Sequence, residues 1–235
     1  MPINPLLAFD QSFSHPIIGI DEVGRGPLAG PVVAGAVYIP QETYTLPFWA
    51  HVNDSKKLSS KRRGELAAQI QAHTIWGLGQ ASVDEIDTVN ILQATFLAMR
   101  RAFEDLSSPR RQVSGETRPT ASLLTSYCQI PAFAGMTHCT ALIDGNRAPR
   151  DFPVPVQTVI KGDATSLSIA AASIIAKVAR DQLMTDLARD YPAYGWGDNA
   201  GYGTASHMAA LAAHGPCPHH RRSFAPIKTL YPLAG

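Results

Sequence analysis

The chain holds 235 residues, 45% of them hydrophobic and 17% charged, with a formal net charge of +1. That apolar content suits a folded domain with a full core and excludes a disordered polymer, while the near-neutral balance excludes a broadly basic surface, so any polyanion site must be a local patch or a metal. Three cysteines are too few for a disulfide framework, no secretory leader opens the sequence, and no run approaches the roughly 20 apolar residues of a membrane span; a cytoplasmic protein is expected.

Residues 17–20 (IIGI) read as a short buried strand ending on Asp21. Gly24-Arg25-Gly26-Pro27 marks a turn, and residues 31–39 (PVVAGAVYI) form a second, β-branched strand. Residues 41–57 read as a loop, after which Ser59 is placed to cap a helix reaching to about residue 73. Residues 74–83 suggest a third strand, weakened by Gly77 and Gly79. Val89, Leu92, Phe96, Met99 and Phe103 then recur at steps of three and four, the apolar stripe of an amphipathic helix.

Residues 107–139 are rich in Pro, Gly, Ser and Thr and keep no period. Ordinary connections are far shorter, so this stretch is expected to be an irregular or disordered surface insertion. Order returns with a strand over residues 140–143 that ends on Asp144, a turn at Gly145-Asn146, and a fifth strand over 154–160 leading into Lys161-Gly162-Asp163. A long helix is expected from 165 to about 189, with Ala170, Ala171, Ala172, Ser173 and Ala176 giving it a small-residue side. A Gly/Pro/aromatic loop over 191–203 and a shorter helix over 204–214 follow, before an irregular tail. Three early strands, helices and two later strands predict an α/β domain built on a mixed sheet flanked by helices.

Asp21, Glu22, Asp144 and Asp163 each stand at or just beyond the end of an apolar strand, where α/β folds place ligands. Gathered at one rim they would repel one another unless a cation neutralised them, and hard oxygen ligands select Mg²⁺ or Mn²⁺. Taken singly they also read as turn acids, and Asp163 as a helix cap. Gly24-Arg25-Gly26 beside the acids would let backbone approach a sugar-phosphate closely, or would simply be a tight turn. It is no dinucleotide fingerprint, because Gly24, Gly26 and Gly30 have the wrong spacing and a strand follows. Tyr202, flanked by glycines, could stack on a sugar or base or be a loop aromatic. Lys56 and Lys57 fit phosphate contact, whereas Lys61, Arg62 and Arg63 fit a solvated helix face. Lys177 and Arg180 could pair with Asp181. His207, His214, Cys217, His219 and His220 match no standard zinc-finger spacing.

The stretch Ile20-Asp21-Glu22-Val23-Gly24-Arg25-Gly26-Pro27-Leu28-Ala29-Gly30-Pro31 resembles the signature of type 2 ribonuclease H, ribonuclease HII. Asn53-Asp54-Ser55-Lys56-Lys57-Leu58, Leu142-Ile143-Asp144-Gly145-Asn146, Lys161-Gly162-Asp163 with the helix after it, Gly201-Tyr202-Gly203-Thr204 and His220-Arg221-Arg222-Ser223-Phe224 agree in order. The resemblance implies a ribonuclease H-like α/β fold with a mixed five-stranded sheet flanked by helices: a catalytic domain over 13–190 and a small C-terminal helical extension over 191–235 that contributes to substrate binding. It implies an endoribonuclease that hydrolyses the RNA strand of RNA–DNA hybrids and cuts 5′ to single ribonucleotides embedded in duplex DNA. Asp21, Glu22, Asp144 and Asp163 are then the catalytic, metal-binding carboxylates for Mn²⁺ or Mg²⁺ in a two-metal mechanism that leaves 3′-hydroxyl and 5′-phosphate ends. Gly24, Arg25 and Gly26 would sense the 2′-hydroxyl, Tyr202 would pack at the RNA–DNA junction, and Lys56 and Lys57 would contact phosphate. RNA–DNA hybrid and ribonucleotide-containing duplex are the expected partners, met by a monomer away from any membrane.

Overall fold

The computed structural model describes residues 4–108 and 139–230. Its centre is a five-stranded sheet: β1 (Ile17–Val23), β2 (Val32–Tyr38), β3 (Ile75–Ala81), β4 (Thr140–Asp144) and β5 (Val156–Val159), in the order β3-β2-β1-β4-β5. β1–β2 and β2–β3 are antiparallel, while β1–β4 and β4–β5 are parallel. The sheet is mixed, as expected. The helices are α1 (Pro5–Asp10), α2 (Ser60–His73), α3 (Val83–Ser107), α4 (Leu167–Asp190), α5 (Trp196–Asn199), α6 (Ala205–His214) and α7 (Ile227–Leu230).

Side chains alternate across a strand, and the two faces of β1 divide accordingly. Ile18 and Ile20 turn toward α3, with Ala34, Ala36, Ala141 and Ile143 beside them and Ala94, Ala98, Met99, Ala102 and Phe103 above. Gly19 and Asp21 turn the other way, toward α4. A Cβ on Gly19 would overlap the Ser168 carbonyl carbon and the Ile169 amide, and one on Gly35 would meet the Ala172 carbonyl. The small side of α4 thus lies almost directly on sheet glycines. α2 closes this second layer through Leu66, Ala67 and Ile70.

Capping side chains set where the helices begin. Ser59 accepts from the Arg62 amide, Ser82 and Glu85 form a reciprocal capping box at α3, Ser166 caps α4 and Thr204 caps α6. The N-terminal helix α1, which no sequence signal marked, delivers Asp10 to the start of α4. There its carboxylate accepts from the Ser166 hydroxyl at 2.6 Å and the Ser168 amide at 2.8 Å.

Gly77 and Gly79 do not weaken β3 but let α3 settle on it, since a Cβ on either would overlap helix backbone at Ala98, Ala102 or Leu106. α3 also differs from its expected stripe. It breaks at Asn90, whose φ is 71° and whose side chain caps the second half by accepting from the Leu92 and Gln93 amides. Val89 lies before the break and is 40% exposed.

The expected insertion over 107–139 loses its ends: Ser107 closes α3 and Cys139 is buried in the core. The rest of it, 109–138, lies outside the described residues. Beyond α4, a separate apolar cluster joins Leu28, Ala29 and Met184 to Tyr194, Trp196, Leu211 and Ile227. The described residues from 191 to 230 are therefore packed, through this cluster, against the loop that follows β1. Among the described residues, no helix is long and apolar enough to cross a membrane.

Candidate active site

Ile20 of β1 pairs with Ile143 of β4, so Asp21 and Asp144 are the next residues on two adjacent parallel strands. Asp144 Oδ1 accepts from the Gly162 amide at 2.6 Å. That bond brings in the short turn Gly162–Ala164 and with it Asp163. Gly162 is needed there: a Cβ would lie 2.7 Å from Ile169 Cδ1 and 3.1 Å from Asp144 Oδ1. Glu22, one residue along β1, completes a rim of four carboxylates.

Asp21 is only 5% exposed. Burial first, then the charges of Glu22 and Asp144, push its carboxyl well above the usual carboxylate range; the Ser173 hydroxyl and the Glu22 amide pull the other way. Burial also raises Glu22, against its ion pair with Arg25 at 3.1 Å, and Asp144 adds to the rise. Asp163 is raised by burial and by Asp144 and Asp54, with Lys56 opposing. Glu22 Oε2 is buried with no hydrogen-bond partner. An orphaned carboxylate oxygen among mutually repelling acids is a poor arrangement for stability and a good one for a cation.

Among the described residues, no group of three or more His, Cys, Asp or Glu side chains is arranged to hold a metal ion by itself. Mg²⁺ does not need one, since it keeps much of its water and is commonly held by one or two carboxylates together with substrate phosphate. The acidic rim suits that kind of ion. The histidine group of the C-terminal segment does not suit zinc, because His207 and His220 spend their ring nitrogens on protein partners.

Two supports of this rim were not visible beforehand. Ser55 is buried, and its hydroxyl meets that of Ser173 at 3.0 Å, which ties the Asn53-Asp54-Ser55-Lys56-Lys57 segment to the hydroxyl beside Asp21. Arg63, expected on a solvated face, donates to the carbonyls of Ser55 and Leu58 at 2.8 and 2.7 Å. Lys56 and Lys57 are exposed on the turn so fixed. Of Lys177 and Arg180, Lys177 pairs with Asp181, at 2.7 Å, and Arg63 lies 3.7 Å from the same carboxylate. Arg180 is buried and donates to the carbonyls of Ala29, Pro31 and Ala200.

The loop after Glu22 is held from below by a second buried arginine. Arg221 donates to the carbonyls of Gly24 at 2.6 Å, Arg25 at 2.9 Å and Gly30 at 2.7 Å. Gly24 has φ +96°, a conformation open to glycine, and a Cβ there would strike the Arg180 side chain. Tyr202 stands over the same loop. Its Cε1 would lie 3.5 Å from a Cβ on Gly26, and the residue is 48% exposed. The structure thus brings Gly24, Arg25, Gly26 and Tyr202 together beside the acids.

The sequence profile described as Ribonuclease HII matches residues 18–129 and 134–227. The chain belongs to the ribonuclease HII family. The Ribonuclease HII of Paramagnetospirillum magneticum is 50% identical over 223 residues, which cover 95% of this chain and 96% of that one. Among solved structures, the ribonuclease H2 of Pyrococcus horikoshii OT3 superposes with a TM-score of 0.59 at 20% identity, covering 92% of this chain and 96% of the other. Bst-RNase HIII, solved in complex with Mn²⁺, gives a TM-score of 0.56 at 22% identity and covers 95% of this chain and 71% of its own. At these identities the two structures speak for the ribonuclease H-like fold. Membership of the ribonuclease HII family makes the chain a ribonuclease H, a hydrolase that cleaves the RNA strand of RNA–DNA hybrids.

Proposed function

We propose that this ribonuclease HII cuts on the 5′ side of ribonucleotides, including a single one embedded in duplex DNA, and leaves 3′-hydroxyl and 5′-phosphate ends. The carrying observation is the buried, unpartnered Glu22 Oε2 beside Asp21 and Asp144. Asp21, Glu22, Asp144 and Asp163 hold the divalent ions in this reading. Mn²⁺ or Mg²⁺, as in the Mn²⁺ complex of Bst-RNase HIII, supplies charge neutralisation of the acids and stabilisation of the attacking and leaving oxygens of the phosphodiester.

The protein's own residues do the rest. Asp144 is held in place by the Gly162 amide, and Asp21 by Ser173 and the Glu22 amide. Gly24, Arg25 and Gly26 offer close backbone to the sugar, where a 2′-hydroxyl can bond and a deoxyribose cannot. Tyr202 stacks beside the ribose, and Lys56 and Lys57 meet phosphate. Residues 13–190 act as the catalytic domain and 191–235 as the substrate-binding extension. The enzyme works as a monomer in the cytoplasm; the exposed large hydrophobics among the described residues (Val89, Ile160, Tyr202 and Leu230) lie on separate elements.

The test is product mapping on an end-labelled duplex carrying one ribonucleotide. With Mn²⁺ or Mg²⁺ the break is expected immediately 5′ of the ribose with a 3′-hydroxyl extendable by a polymerase, and chelator should stop it. A break 3′ of the ribose, or ends that cannot be extended, would contradict the proposal.

A further inference from the structure

His207, His220 and Trp196 lie wholly inside the C-terminal segment, each at most 1% exposed. Their partners dictate where the protons sit. The Cys217 amide donates to His220 Nδ1 at 3.0 Å, so that nitrogen carries no proton and Nε2 does. His220 Nε2–H then donates to His207 Nε2 at 3.0 Å, and Trp196 Nε1–H donates to the same nitrogen at 3.2 Å. The remaining proton of His207 is therefore on Nδ1, where it donates to the Tyr202 carbonyl at 2.9 Å. The relay runs in one direction, with no donor or acceptor left over.

Its two ends are both substrate-reading elements. His220 is followed by Arg221, which holds the carbonyls of Gly24, Arg25 and Gly30. His220 itself bridges to Ala29, and the Gly30 amide donates to the His219 carbonyl at 2.9 Å. Tyr202 sits between two glycines, Gly201 at φ +83°, and its backbone is held locally: its amide donates to the Asn199 carbonyl at 2.9 Å and its carbonyl accepts from the Thr204 amide at 2.8 Å. The His207 bond comes from a buried ring and adds a long-range side-chain hold on the same carbonyl, tying the exposed tyrosine to the His220 end of the relay.

We propose that His207 and His220 form a positioning relay that fixes Tyr202 relative to the Gly24-Arg25-Gly26 loop, and that this spacing sets the preference for a single embedded ribonucleotide over a continuous hybrid. The inference rests on the reading of Tyr202 as the residue that packs against the ribose. A continuous hybrid offers a ribose in every register and tolerates a displaced ring. A single ribonucleotide offers one register and does not.

The experiment compares steady-state cleavage of the two substrates by the full chain. His207→Leu fills the space but has no ring nitrogen, and His207→Asn keeps a donor near the Nδ1 position. In His207→Leu the preference for the single ribonucleotide should fall about tenfold, mostly through KM, and His207→Asn should restore most of it. Tyr202→Ala should lose the preference too, and adding His207→Leu to it should cost nothing further. Additive losses, or an equal loss on both substrates from His207→Leu while Tyr202→Ala is selective, would overturn the relay alone. An unchanged preference in Tyr202→Ala would overturn the reading of Tyr202 and the relay with it. Nitrogen-15 spectra of the wild-type side chains give a check that needs no variant to fold: His207 should be the Nδ1–H tautomer and His220 the Nε2–H tautomer, and the reverse assignment refutes the relay.

Discussion

Asp21 carries its charge at a cost, because it is buried and faces two further acids. A carboxyl whose folded pKa is raised contributes stability at low pH that is lost as pH rises through the folded value. Asp21→Asn removes that loss, while the amide oxygen can still accept from the Glu22 N–H, now 2.8 Å from Asp21 Oδ1. In chelator at pH 8 the variant should be more stable than the parent by roughly 1–3 kcal/mol, read as a higher melting temperature. A lower melting temperature would mean that the acid is well accommodated. Two other residues should show opposite slopes. Burial raises Asp10 to about 6 from an ordinary 3.8, so its contribution is complete below pH 3.8 and fades as pH rises through 6. Burial and His207 lower His220 to about 4 from 6.5, so its contribution is complete above pH 6.5 and fades as pH falls through 4. The two partly cancel in the wild type. Comparison with Asp10→Asn separates them: between pH 7 and pH 4 the stability gap should move toward the wild type by about 2 kcal/mol in urea denaturation, and a flat gap would refute the assignment.

The elements themselves were largely legible, and where they were not the cause is packing across the sheet. The strand end at Asp144 and the cap at Ser59 follow from local patterns, while β1 runs two residues past the expected end at Asp21, to Val23. The glycines of β3 did not, since a Gly in a strand reads as weakness until the helix above it is known. Gly79→Ala should therefore cost about 1–3 kcal/mol, occasionally more, by pushing α3 off Ala98 and Ala102, although Ala has the better intrinsic propensity. A neutral or stabilising effect in chemical denaturation would contradict this contact. The stripe misled at Val89 and Leu92 for a related reason: Asn90 turns the helix there, and beyond it the expected Met99 and Phe103 are buried together with Ala94, Ala98 and Ala102. Ala98 and Ala102, which lie on the glycines of β3, give no large-residue signal to read.

At the scale of the whole molecule, the acids were visible as a group because each lies near the end of an apolar strand or just beyond it, but what holds them was not. Ser55 reaches Ser173 across 118 residues, and Arg221 reaches Gly24 across 197. No window of sequence connects such pairs, and a buried arginine looks like any surface arginine until its carbonyl partners are in place. The C-terminal segment was expected as an extension. In the structure its apolar cluster takes in Leu28 and Ala29, and its arginine and histidines hold the loop beside the acids. The acidic rim and the Gly24-Arg25-Gly26 loop are thus packed as one unit, and in the proposed reading this unit cuts only where a 2′-hydroxyl is present. The direct measurement is nicking of two duplexes of one sequence, one all DNA and one with a single ribonucleotide, in Mg²⁺ or Mn²⁺. The ribonucleotide duplex should be nicked by the wild type and left whole by Asp21→Asn, and the all-DNA duplex should survive both; equal cutting of the two duplexes, or full activity in Asp21→Asn, would contradict the account.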